Sequence, residues 1–210
     1  MILVICSILS GFLLKKYPSK SFAIGVTLII HMITFTVYIV PIVLVLCQLD
    51  FTYYDYTSGI PFLRFNTGLK TIGIIMLIIG ILFCFVSIST LAGIGKGLPA
   101  FILSENLTAK GIYALIRNPM SLGFYIVFLS IGLLKSSISV ILWTLIVIIP
   151  SHICFLKFFE ECELESRFGQ PYIEYKKKVP FLIPNLRSIF KRKKMTMMPY
   201  NFNKLIQVVG

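Results

Sequence analysis

The sequence predicts an all-helical, polytopic membrane bundle of about five transmembrane helices, and three observations predict it. Of the 210 residues, 57% are hydrophobic and only 13% charged, about half the charged fraction of a soluble domain. Mean hydropathy is +0.91. Apolar runs of about 20 residues, the length that crosses a bilayer, recur along the chain. Hydrocarbon offers no water to loose backbone groups, so each run is expected to be a helix.

Met1–Leu14 is a short apolar stretch followed by KKYPSK. A signal peptide carries its positive charge ahead of the apolar region, whereas here the charge follows, so this reads as a short first span kept in the protein. Phe22–Leu49 is the second run. As a helix it measures about 42 Å, more than the apolar core, so it should tilt, protrude or kink, and Pro41 offers the kink. DFTYYDYTSGIPFLRFNTG follows, with the Tyr and Phe content of an interfacial belt. Gly68–Ala92 is the third span, and GIGKGLPAFILSENLTAKGIY a long polar, glycine-bearing connection. Pro119–Leu134 and Ile138–Phe159 are the fourth and fifth spans, joined by the tight KSS turn as a helical hairpin. The tail holds YKKKVPFLIP and KRKK.

Lys15, Lys16, Lys20, Lys96, Lys110, Arg117 and the basic tail fall on one side of such a bundle, against Arg64, Lys70 and Lys135 on the other. The positive-inside rule then puts the N-terminus outside and the Gly95 loop and C-terminus in the cytosol. The net charge of +12 is not the mark of a nucleic-acid partner. The basic residues flank spans and form no basic domain, so they read as topology signals and attraction to anionic membrane lipids. Four of the five cysteines lie in apolar runs and none forms a CxxC pair, so they read as small buried hydrophobes. His31 and His152 are far apart inside predicted spans, and no metal site is assigned to them.

Three features could carry chemistry. Glu160, Glu161, Glu163 and Glu165 are half of the 8 acids in the chain, and Glu160 and Glu161 follow the fifth span directly. A carboxylate near hydrocarbon is costly and is usually paired or functional. Spacing alone also allows a solvated helix end with Lys157 pairing at i+3 or i+4. In RNP, Asn118 is a favoured N-cap and Pro119 a favoured first helical residue. A span starting there has free N–H groups that attract an anion, with Arg117 as a forked cationic donor beside it; a capped span with an interfacial arginine reads the same way. GIGKGLP has glycines at 93, 95 and 97. It lacks the strand of a dinucleotide fingerprint, which leaves a close approach to a ligand or a flexible turn. All three features fall on one face, where a small zwitterion could use them together.

GIYALIRNPMSLG followed by FEECELESRFGQPYIEYKKKVPFLIP resembles the isoprenylcysteine carboxyl methyltransferase and phospholipid methyltransferase superfamily of integral-membrane enzymes. The resemblance spans Gly93–Pro184. It implies a cytosolic pocket for S-adenosylmethionine built from Gly95, Gly97, Gly111, Tyr113, Arg117, Asn118, Pro119, Met120, Glu160, Glu161 and Tyr172. Arg117 and Glu161 would carry the catalytic work, and Phe168, Tyr172 and Tyr175 would fold over the cofactor. On this division residues 1–92 are N-terminal transmembrane helices, 93–184 a methyltransferase core and 185–210 a basic cytosolic tail. The carboxyl methyltransferases have His where Asn118 stands and an aromatic where Ser121 stands, and Cys162 replaces a Pro frequent in bacterial relatives. These departures argue against assuming prenylcysteine as substrate. The resemblance implies a lipophilic or small-molecule methyl acceptor: a carboxylate, a phospholipid amine or a small thiol. A transport or scaffold protein would instead place polar residues mid-membrane in paired broken helices, whereas the charges here cluster at one face.

Overall fold

The computed structural model describes residues 2–16, 25–30, 32–33, 36, 51–60, 66–97 and 104–184. Every regular element among them is helical. In chain order these are α1 (Ile2–Lys16), α2 (Phe51–Thr57), α3 (Thr67–Gly95), α4 (Pro119–Lys135), α5 (Ile138–Phe168) and α6 (Gln170–Lys178). A short 3₁₀ turn, Gly111–Ala114, precedes α4. Two helices, α3 with 29 residues and α5 with 31, are long and apolar enough to cross a membrane. The apolar parts of α1 and α4 are shorter. The count of five spans leans on Phe22–Leu49, most of which lies outside the described residues, as do His31 and Pro41.

α3 starts where Asn66 caps it, its side chain accepting from the Leu69 N–H at 2.9 Å. Its buried positions, Gly73, Gly80 and Ser87, recur every seventh residue and so share one face. That face meets α4. A Cβ on Gly80 would lie 2.9 Å from the Gly123 carbonyl, and one on Gly123 would lie 2.7 Å from the Cys84 sulfur. Small residues thus let the two backbones approach closely, the usual packing device between membrane helices. The other faces of α3 expose Ile74, Ile75, Ile78, Leu82 and Phe85, a surface that suits lipid.

α4 begins at Pro119, as its sequence predicts, and ends at Ser136 in the left-handed conformation (φ 55°). Ser137 then caps α5 by accepting from the Val140 N–H. The predicted hairpin is therefore present. α5 itself is longer than the apolar run that signals it. It passes Phe159 and carries Glu160 and Glu161 within one helix to Phe168. It widens into i→i+5 turns at Thr144–Ile148 and Leu156–Glu160. The first ends two residues before Pro150, which has no N–H to give to a regular ladder. α1 packs on this helix through Leu14 against Phe155, Leu156 and Phe159, with Gly11 against the Phe158 carbonyl. The segment read as an aromatic belt includes α2. Its Tyr53 and Tyr56 are exposed, while Asp55 is buried and accepts from the Ser139 N–H at 2.9 Å.

Candidate functional site

One end of the bundle gathers the chemistry-bearing segments. At the end of α3, the Gly95 carbonyl accepts from the N–H groups of Glu105 (2.8 Å) and Asn106 (3.2 Å), which hangs the 104–110 loop on the helix. Gly95 has to be glycine for this: a Cβ there would lie 2.5 Å from the Thr108 hydroxyl and 3.0 Å from Leu91. Gly97 is buried next to it. Thr108 Oγ1 is buried and has no hydrogen-bond partner among the described residues. Gly111 opens the 3₁₀ turn with φ +58°, a conformation that disfavours a side chain.

The RNP segment is tied to the C-terminal part of the core. The Arg117 N–H donates to the Pro180 carbonyl at 2.9 Å, and both the N–H and the side-chain amide of Asn118 donate to the Phe181 carbonyl. Asn118 stands at the N-cap position of α4, as its sequence predicts, but its side chain makes no cap hydrogen bond; its amide N–H donates instead to a carbonyl 63 residues away. Pro119 is buried at the helix start. The Met120 carbonyl faces the Cys84 sulfur of α3, so Met120 belongs to the helix contact.

The two adjacent glutamates are treated differently. Glu161 is buried and has both oxygens engaged, Oε1 with Arg117 Nη1 at 2.5 Å and Oε2 with Lys176 Nζ at 2.6 Å. Lys176 also reaches Glu165 at 2.8 Å. Glu160 is half-buried and makes no hydrogen bond or ion pair among the described residues. Tyr113, Tyr125 and Tyr172 all lie within its electrostatic reach. The phenols of Tyr113 and Tyr172 are pushed well up, first by burial and then by nearby glutamates, so both stay neutral donors. The Arg117 guanidinium reaches the Tyr172 hydroxyl, while Arg117 Nε is buried without a partner. Lys157, the partner that spacing suggested for the glutamates, instead sits over the Phe181 ring at 5.3 Å.

The C-terminal segment closes this end. Gly169 turns the chain with φ +60°, which lays α6 back on the core. Tyr172, Tyr175 and Val179 pack with Leu107, Ala109, Leu164 and Phe168. The Tyr175 hydroxyl donates to the Tyr113 carbonyl at 2.7 Å. Arg167 pairs with Glu163 and donates to the Ser104 carbonyl. Three participants escape sequence reading. Lys176 and Phe181 depend on the fold-back at Gly169. His152, whose Nδ1 shares a 2.8 Å hydrogen bond with the Tyr125 hydroxyl, depends on how the α4–α5 hairpin aligns.

Residues 69–171 match the sequence model of the phospholipid methyltransferase family, which lies in the superfamily that the RNP and EECELE motifs resemble. No curated protein and no solved structure gives a significant match.

Proposed function

We propose that the chain, whose residues 69–171 match the phospholipid methyltransferase family, is a membrane methyltransferase that uses S-adenosylmethionine to methylate a lipophilic acceptor. When bound, the cofactor supplies a methyl group already activated on a sulfonium. The chain's residues then have to bind, align and exclude water.

The observation that carries this reading is the unpartnered Glu160 beside the doubly paired Glu161. A half-buried carboxylate that bonds no cation and feels Arg167 only through space is costly, and a ligand ammonium would relieve that cost. The remaining groups fit the same ligand. Arg117 and the start of α4 at Pro119 form the side for a carboxylate, with the unpartnered Arg117 Nε as a donor in hand. Gly95, Gly97 and Gly111 allow close approach of backbone, and the unpartnered Thr108 hydroxyl can bond a polar group held there. Glu161 acts as a positioning residue that fixes Arg117 and α6. Tyr113 and Tyr172 offer neutral phenols and ring faces around Glu160. The basic loops support a cytosolic location for this end.

The family's description favours a phospholipid amine as acceptor, and Asn118 and Ser121 point away from the carboxylate of a prenylcysteine. An amine must shed a proton to attack, which a carboxylate acceptor need not do.

Calorimetric titration of the purified full chain with S-adenosylhomocysteine tests the reading. We expect binding in the wild type and at least about tenfold weaker binding in Glu160→Gln, since a charge-assisted bond is worth about 1.5–3 kcal/mol. Unchanged affinity in Glu160→Gln removes Glu160 from the site. No binding to folded wild-type protein removes the cofactor itself.

A further inference from the structure

Beside the proposed cofactor site, and sharing Arg117 with it, the described residues form a groove of about 320 Å³, lined by Arg117, the three lysines Lys176–Lys178 and the Val179–Phe181 turn. Its lining holds four cations and no acid. The acids that compensate these cations stand behind it: Glu161 and Glu165 bond Arg117 and Lys176. Lys177 is exposed and makes no ion pair among the described residues. Lys178 stands 3.9 Å from Glu174, with both side chains 60% exposed, a pair of negligible strength. The groove therefore presents two uncommitted ammonium groups over an apolar floor.

That floor is fixed. The Phe181 ring is held between Arg117 at 5.4 Å and Lys157 at 5.3 Å, and its carbonyl takes two bonds from Asn118. Lys157 belongs to α5, at the level where that helix passes from apolar to charged residues, and its neighbour Phe158 is exposed, as is Ile183 beyond Phe181. A cationic rim, an apolar floor and adjoining exposed hydrophobic side chains occur together where a membrane's headgroups meet its hydrocarbon.

We propose that the groove lined by Lys177, Lys178 and Phe181 is a binding site for the phosphate of an anionic phospholipid. Phosphate accepts from the two free ammonium groups, and the start of the acyl chains lies along Val179, Pro180 and the Phe181 turn. The site extends beyond the methyl-transfer reading and stands without it, because neither Lys177 nor Lys178 is assigned to the cofactor, although Arg117 borders both sites.

The full chain, purified in an uncharged detergent, is titrated with phosphatidylglycerol, phosphatidylcholine and inorganic phosphate, and bound lipid is counted by native mass spectrometry. Three variants are compared with the wild type: Lys177→Gln with Lys178→Gln, a tail variant with Lys191, Arg192, Lys193 and Lys194 all changed to Gln, and Lys70→Gln with Lys135→Gln. We expect the Lys177/Lys178 variant to bind phosphatidylglycerol about tenfold more weakly, at roughly one kcal/mol or less per lysine, with phosphatidylcholine unaffected. Binding of S-adenosylhomocysteine should be unchanged in that variant, which keeps this site distinct from the pocket. Wild-type affinity in the Lys177/Lys178 variant, a loss confined to the tail variant, or an equal loss in the Lys70/Lys135 variant would overturn the site. Displacement of lipid by inorganic phosphate at equal concentration would overturn its assignment to a lipid.

Discussion

The helix α5 meets acids near both of its ends, in opposite states. Near its start, Asp55 of α2 is buried and accepts from the Ser139 N–H, beside a side-chain cap from Ser137. Near its other end, Glu161 is held by two cations while Glu160 bonds none among the described residues and feels Arg167 only through space. A buried carboxylate is tolerated when its bonds are made. Asp55 makes such a bond within the protein, to the start of α5. Glu160 does not, although a guanidinium and an ammonium lie one residue away and are already committed to Glu161. The comparison separates an acid that builds the fold from an acid left open for a ligand, and it makes Glu161 the element that keeps the second state in place.

The largest effect expected from breaking this comparison is at Glu161. Replacing it by Ala strands Arg117, whose side chain is 11% exposed, and releases one of the two bonds of Lys176. Removing one partner of a buried pair costs about 3 kcal/mol or more, so Glu161→Ala should lower the unfolding midpoint clearly in a thermal melt of the detergent-solubilised protein. Adding Arg117→Leu to that variant should recover part of the loss, since the stranded charge is then gone. A double variant no more stable than the single one would show that the pair is not the source of the cost.

A smaller effect is expected at the opposite end. Asp55→Ala removes one acceptor from the start of α5, where loss of a cap costs about 1–2 kcal/mol. Ser137 still caps Val140, which limits the damage. Binding of S-adenosylhomocysteine should be unchanged in Asp55→Ala, in contrast to Glu160→Gln. A cofactor defect in a well-folded Asp55 variant would end the distinction drawn between the two acids.

How much of this was legible in the sequence follows from how local each signal is. The α4–α5 hairpin was readable because Pro119 and the KSS turn act within a few residues of themselves. The end of α5 was not. The apolar run stops at Phe159 while the helix continues to Phe168, because hydropathy marks where hydrocarbon ends and says nothing about where helical hydrogen bonding ends. EECELE could be marked as unusual, but its lysine partner was misassigned. Helical spacing proposed Lys157, whereas the fold-back at Gly169 brings Lys176 from α6. Asn118 was readable as the N-cap position, but its side-chain bond was not, because the Phe181 carbonyl that takes its amide N–H is 63 residues away. Gly95 was singled out as a possible close approach, and the structure supplies the neighbour, the Thr108 hydroxyl.

The smallest expected effect concerns the strap that holds the two regions of the site together. Burial by itself would lower the pKa of Lys176, but its bonds to Glu161 and Glu165 outweigh this and hold it above its ordinary value of 10.5. A lysine whose pKa is raised in the folded state contributes stability that is complete below the unfolded value and disappears as pH rises through the folded one. The contribution of Lys176 to docking α6 should therefore be constant from about pH 6 to 9 and fall only above about 10.5. The measurement is the difference in unfolding midpoint between wild type and Lys176→Met across that range. Because the Lys176 side chain is 35% exposed, solvent screens the pair and the difference should stay below that of Glu161→Ala at every pH. A difference that changes between pH 6 and 9 would mean that the charge of Lys176 does not set the strength of the strap.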